Sequence, residues 1–378
     1  MNNKQLTTWE AACIITGYGI GAGVLSMPYV ANIVGFPASV LILVVAFIAS
    51  YILHLMIAEL AMKTEDGGQI ISCLSRFLFR GRLKNVLSIS FFVLMALILC
   101  TNLATYIAAA EEIIVGLIPM PALAAKLLFY VFAASVVFFG LKVVGISEKY
   151  AVSAIVALIA VLAAASVFAE HNPINLKTGT VNQILAYYGL AMFAMSAFFS
   201  VPQAVEGLNK DEKKIKKAVF LGLGVNFVLI LVISFCALWA SGEITEVAMV
   251  GWSQGIGLWA QLVGSIFTLL AMLTTYWSLS LALAGMIEEM THIGSRLCWL
   301  IATLPSMILV LFELGNFMEL LRTAGGLIAI VVAVMVVPSY RNARREVPGG
   351  VLKHSGTWLE ILIILAYILM AVGSVVSY

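Results

Sequence analysis

Gly17-Tyr18-Gly19-Ile20-Gly21-Ala22-Gly23 decides how this chain folds. The stretch lies between Trp9 and Tyr29 inside the first long apolar segment, where the middle of a bilayer falls if that segment spans one. Each glycine costs a helix roughly 1 kcal/mol relative to alanine, and four fall within seven residues. The sequence therefore predicts a broken span. At membrane depth a break leaves backbone N–H and C=O groups without partners, which is tolerated only where they face protein or a wet cavity. Freed groups of that kind can hold a ligand.

The rest of the composition agrees with a membrane setting. Of 378 residues, 62% are hydrophobic and 11% charged, and mean hydropathy is +1.08; soluble domains are about a quarter charged. The chain reads as an all-α polytopic membrane protein. Five cysteines (Cys13, Cys73, Cys100, Cys236, Cys298) are scattered singly, without the spacing of a disulfide or metal site, and read as small packing residues. Four separated histidines supply no metal or enzyme cluster, and nothing suggests nucleic acid. A glycine-broken segment after Lys4 is too long for a signal-peptide core, so it is expected to remain as the first span.

Apolar runs give eleven spans: 9–34, 36–62, 85–114, 122–141, 147–169, 180–203, 218–241, 257–286, 296–313, 317–339 and 356–377. Each approaches or exceeds the roughly 20 residues that cross a bilayer. Gly35-Phe36-Pro37 makes the tightest joint, with a turn and a helix-starting proline. With the N-terminus in the cytoplasm, all but three of the 21 Lys and Arg (Lys126, Lys177 and Arg322) fall on the cytoplasmic side, a strong positive-inside bias. The expected location is a cytoplasmic (inner) membrane, with the C-terminus outside. Segment 64–84 predicts an amphipathic interfacial helix from Ile70, Ile71, Leu74, Phe77 and Leu78, and 241–257 predicts a short outer helix.

Eleven spans divide as five, five and one. A five-span unit re-enters the membrane inverted, as in the repeats of many secondary transporters. Residues 1–170 and 171–340 would be the two repeats, with 341–378 holding the last span. Span 6 should then be interrupted as well, and Gly189, Ser196, Ser200 and Pro202 are its weak points.

Gly21-Ala22-Gly23-Val24-Leu25-Ser26-Met27-Pro28-Tyr29, followed by Gly35 and Phe36, resembles the first-helix signature of the amino acid/auxin permease family. Phe193-Ala194-Met195, then Val201-Pro202-Gln203-Ala204-Val205-Glu206-Gly207-Leu208, is similar to that family's sixth helix, and Phe139 to Gly145 fits its pattern before the fifth. The bacterial hydroxy and aromatic amino acid permeases are a related branch. The resemblance implies the leucine-transporter-like fold of the amino acid/polyamine/organocation superfamily. It also implies uptake of a neutral, apolar or aromatic amino acid coupled to H⁺ or Na⁺. The same superfamily includes membrane subunits of spore germinant receptors, so a sensing role is the alternative.

On this reading the substrate carboxylate meets the N–H groups of the outer half-helix at Gly21, Ala22, Gly23 and Val24, and the inner half-helix carbonyls from Tyr18 to Ile20 take the ammonium or a cation. Asn102 and Tyr106 share a face of span 3 from which they would reach the substrate carboxylate, and Ser196, Ala197 and Phe198 of span 6 would wall the side chain. A sodium site would draw on Gly17, Ile20, Thr274, Thr275 and Ser278. Sodium-coupled relatives commonly carry an asparagine where this chain has Gly17. His54, read as the deepest ionisable side chain, is the candidate for proton coupling, with a neutral histidine hydrogen-bonded between helices as its other reading. Glu59, Glu111 and Glu112 read as solvated or gate-lining, and Arg322 as a partner of Glu319. Span 5 has no charge from Ala151 to Ala169, whereas some proton-coupled relatives carry a lysine there.

Overall fold

The computed structural model describes residues 5–64, 68–312, 335–352 and 356–376. Lys4, Glu319, Arg322, Lys353 and most of the tenth predicted span lie outside them. Among the described residues the elements are helices: α1 Thr8–Gly19, α2 Ala22–Val34, α3 Phe36–Lys63, α4 Ile70–Phe77, α5 Lys84–Leu117, α6 Ala122–Phe138, α7 Leu141–Ser166 and α8 Val181–Ala194. They continue with α9 Ser200–Gly207, α10 Glu212–Ala240, α11 Ala248–Ile256, α12 Leu258–Thr291, α13 Ser295–Leu311, α14 Val337–Glu346 and α15 Thr357–Val375.

Six of these helices (α3, α5, α7, α10, α12 and α15) are long and apolar enough to cross a bilayer. The pair α1 and α2 passes the same test jointly while bending by 58°. The molecule is apolar outside as well as inside: Leu41, Leu97, Val131 and Leu362 are at least 60% exposed, as lipid-facing side chains are. α12 is the most enclosed long helix, which puts it at the centre of the bundle.

Local chemistry accounts for the joints. Gly35 ends α2 at φ +90°, a value that favours glycine, and a Cβ there would overlap the Lys177 carbonyl. Pro37 then opens α3 in its first turn. Thr7 and Glu10 cap α1 reciprocally, and Thr180 and Gln183 do the same for α8. The amphipathic helix expected in segment 64–84 is present as α4 and the short helix expected in 241–257 as α11, whose Trp252 Nε1 donates to Ser166 Oγ at 2.8 Å.

Two expectations need correction. α7 begins at Leu141 rather than 147, because Gly140, at φ +86°, starts the helix as soon as α6 ends. Span 5 is thereby extended toward its charged end, and Glu148 lies two turns inside it. Glu59 is not solvated: it is 1% exposed and receives Lys63 Nζ at 2.7 Å, Arg344 Nε at 2.8 Å and the Leu352 N–H at 3.3 Å.

Candidate substrate site between two helix breaks

The first break falls where the glycines are. α1 closes with the Ile20 N–H on the Thr16 carbonyl (2.9 Å), and α2 opens at Gly21 without a side-chain cap. Its first N–H groups thus form a positive helix end with no capping side chain. The second break is Met195–Phe199, between α8 and α9. Gly189 and Pro202, two of the predicted weak points, both sit inside helices. Gly189 instead packs against Gly373 of α15, where helices approach closely.

The second break is held open by specific bonds. Ser196 Oγ donates to the Met192 carbonyl and Ser200 Oγ to the Ala197 carbonyl, both at 2.7 Å. Gln203 Nε2 reaches the Ser278 carbonyl at 3.0 Å. His54 Nδ1 bonds to the Ser50 carbonyl (2.6 Å), and the Ala197 N–H donates to His54 Nε2 (2.9 Å). A carbonyl only accepts, so the ring proton sits on Nδ1 and the histidine is neutral. His54 is thus a backbone bridge with both ring nitrogens occupied.

Between the breaks lies a cavity of about 30 Å³. Tyr18, Gly19, Gly21 and Gly23 line it from α1 and the start of α2; Asn102 and Tyr106 from α5; Phe193, Ala194 and Ser196 from the second break; Thr275 and Leu279 from α12. Its polar side chains are buried, at 2 to 7% exposure for Asn102, Tyr106, Ser196 and Thr275. Among the described residues Asn102 Oδ1 has no hydrogen-bond partner, a buried acceptor suited to an ammonium group. A cavity this size holds about one water, so a larger ligand requires the aromatic walls to move.

Five of the predicted substrate residues meet here: Gly21, Gly23, Asn102, Tyr106 and Ser196. Ile20 and Val24 are fully buried in the core, and Ala22 forms the first turn of α2 with its side chain outside the described set. Ala197 is engaged by His54, and Phe198 packs on His54 (5.2 Å between ring centroids) and Tyr367 (5.9 Å), so neither lines the cavity. Sequence reading placed the Tyr18 backbone at the site but missed its side chain, together with Phe193 and Leu279, as a wall. It also missed Asn226 of α10, fully buried, both amide atoms without a partner among the described residues, and pressed against Gly19. Its only sequence signal is a polar residue in an otherwise apolar run.

The predicted sodium residues also gather, apart from Ile20, but around a side chain that was overlooked. Thr275 Oγ1 donates to the Gly17 carbonyl at 3.0 Å, Thr274 Oγ1 to the Ala271 carbonyl at 2.9 Å, and Ser278 Oγ to Glu148 Oε1 at 2.8 Å. Glu148, 0% exposed, fills the space beside Gly17. His54 is therefore not alone as a deeply buried ionisable group.

At the N-terminal end of α1, Lys142 Nζ reaches Glu10 Oε2 at 2.7 Å, and the Leu6 N–H donates to the Gly207 carbonyl at 2.7 Å. The Leu6 side chain fits against Gly145 and Gly207. The foot of α1 is thereby pinned to α7 and to the end of α9.

The sequence model of the tryptophan/tyrosine permease family matches residues 4–374. No curated relative matches the sequence. Among solved structures, that of MHP1, a nucleobase-cation-symport-1 family transporter in a closed conformation with bromovinylhydantoin bound, aligns with a TM-score of 0.69 at 12% identity. The alignment covers 98% of this chain and 91% of that one. At that identity the likeness concerns the fold alone, and it is the leucine-transporter-like fold.

Proposed function

The chain belongs to the tryptophan/tyrosine permease family, and from that premise we propose that it imports an aromatic amino acid by alternating access, driven by a H⁺ or Na⁺ gradient. It is a multi-pass membrane transporter, not an enzyme. The observation that carries the substrate reading is the cavity between the two breaks. It presents an uncapped helix N-terminus at Gly21 and Gly23 for a carboxylate, Asn102 Oδ1 for an ammonium, and Tyr18, Phe193 and Leu279 for a ring. The polar side chains among these are buried, so each polar contact counts for more than at a surface.

Eleven spans, arranged as inverted repeats 1–170 and 171–340 with a final helix in 341–378, suit this reading. The paired breaks at Gly21 and Met195–Phe199 support it, since midplane sites of such transporters form between discontinuous helices. The basic loops favour an N-terminus in the cytoplasm and a C-terminus outside a cytoplasmic membrane.

The test is uptake of a panel of radiolabelled amino acids into proteoliposomes with imposed H⁺ or Na⁺ gradients. Accumulation of tryptophan, tyrosine or phenylalanine under one gradient is expected. No accumulation under either overturns the reading.

A further inference from the structure

One buried polar side chain beside the cavity has no role in the site as drawn so far. Asn226 sits midway along α10 at 0% exposure, and neither Oδ1 nor Nδ2 has a hydrogen-bond partner among the described residues. A carboxamide buried in this way gives up its bonds to water and gains none in return. Folded proteins meet such groups with protein, water or a ligand, and among the described residues no protein group does so here.

Packing fixes where that carboxamide stands. Gly222, Asn226, Leu229, Ile230 and Ile233 belong to the buried face of α10. Gly222, one turn before Asn226, lies against Ala12 and Ile15 of α1, and its carbonyl accepts from Thr16 Oγ1 at 3.0 Å. Asn226 is thereby carried to the end of α1, where it fills the side-chain space that Gly19 leaves empty. A Cβ on Gly19 would overlap Nδ2 and would lie 3.5 Å from the Ala194 carbonyl oxygen. Gly19 is the last residue of α1 and Ala194 the last of α8, and both line the cavity. The orphan amide thus backs the wall at which both breaks begin.

Two unmet atoms narrow the ligand. A carboxamide offers one donor edge and one acceptor edge. A metal cation or an indole N–H engages Oδ1 and leaves Nδ2 unmet, and a simple anion does the reverse. An amino acid headgroup carries an ammonium to donate and a carboxylate to accept. The helix ends order the two: α1 and α8 present electronegative C-termini at Gly19 and Ala194, while α2 presents its positive end from Gly21. An ammonium beside Asn226 therefore directs its carboxylate toward Gly21 and Gly23.

We propose that Asn226 is a further substrate-binding residue, whose carboxamide holds the α-amino acid headgroup at the end of α1. The inference rests on the transport reading above and gives the headgroup, common to all amino acids, a contact on α10. The ring stays with Tyr18, Phe193 and Leu279. A cavity with room for about one water must widen to take an amino acid. Gly19, at the break and without a side chain, is the wall whose movement uncovers the carboxamide.

The test uses the purified full chain and the variant Asn226→Leu, which keeps nearly the same shape without the polar atoms. Binding is measured for tryptophan, tyrosine and phenylalanine, and for tryptamine and indole-3-propionate, which lack the carboxylate and the ammonium respectively. Melting temperature is measured with and without Na⁺. An apolar group of the same shape in place of an unpartnered buried amide is neutral or stabilising, so N226L should melt no lower than wild type. All three amino acids should nevertheless bind roughly 10- to 100-fold more weakly, the loss expected for hydrogen bonds to charged groups. The two analogues, each with half of the headgroup, should lose less. Tryptophan affinity within twofold of wild type in N226L overturns the proposal. A loss confined to tyrosine also overturns it, since the carboxamide would then meet the ring hydroxyl. So does a rise in melting temperature with Na⁺ alone that disappears in N226L, which would make a cation the occupant. If N226L does not fold, Asn226→Ala, which adds no atoms, is read by the same criteria. Failure of the wild type to bind any aromatic amino acid would instead sink the transport reading.

Discussion

Gly21→Ala tests the substrate site most directly. A Cβ built on Gly21 lies 2.7 Å from Tyr106 Oη and 3.3 Å from Thr275 Oγ1. An ordinary contact begins near 3.4 Å, so the Tyr106 hydroxyl must retreat by several tenths of an ångström. The cavity beside it has only about 30 Å³ to give. Overpacking of this kind costs about 1–3 kcal/mol. The tip of a tyrosine can yield where backbone cannot, so the free protein should fold, and the cost should appear when the ligand fills the remaining space. At about 1.4 kcal/mol per decade, tryptophan binding should weaken by roughly 5- to 150-fold. The assay is equilibrium binding to purified protein, with thermal melting as the check on folding. Tyr106→Phe removes the obstructing oxygen, so the double variant Gly21→Ala/Tyr106→Phe should bind better than the two separate losses predict. Affinity within twofold of wild type in G21A, or strictly additive losses in the double variant, would refute this placement of the ligand.

Three other outcomes follow from the same geometry. Lys142→Met leaves Glu10 buried without its cation, which should loosen the foot of α1; labelling of the fully buried Cys13 by maleimide should accelerate, and an unchanged rate would show that the pair does not hold this end shut. Gly373→Val places a side chain against the Leu185 carbonyl of α8, so α15 should be displaced and the melting temperature in detergent should drop, by an amount corresponding to about 1–3 kcal/mol. Gly19→Ala drives a methyl into the Asn226 amide; folded yield should fall and recover in Gly19→Ala/Asn226→Ala, and no recovery would mean that the clash lies elsewhere.

Much of the layout is a local matter, which is why residues along the chain reveal it. Four glycines in seven residues break a helix wherever it is placed, and α1 ends at Gly19. Gly35 and Pro37 separate α2 from α3 for equally local reasons, and the apolar spacing from Ile70 to Phe77 forms α4. The second break is different. Met195–Phe199 has one serine and no glycine, and it stays unwound because His54 and Gln203, on other elements, bond to its backbone or to a neighbouring carbonyl.

The sequence by itself determined that the chain lives in a membrane, that its first span breaks at Gly21, and that Asn102 and Tyr106 present one face. Each depends on composition or on spacing within a single helix. Only the tertiary structure decided that Phe198 turns from the cavity while Phe193 faces it, and that Glu148 stands at Gly17 between α1 and α12. The sequence reading passed over Glu148, which stands between Ser147 and Lys149 at the start of the fifth predicted span. Its burial depends on three helices crossing there, and where helices cross is set by packing between segments 130 residues apart, Glu148 and Ser278 among them.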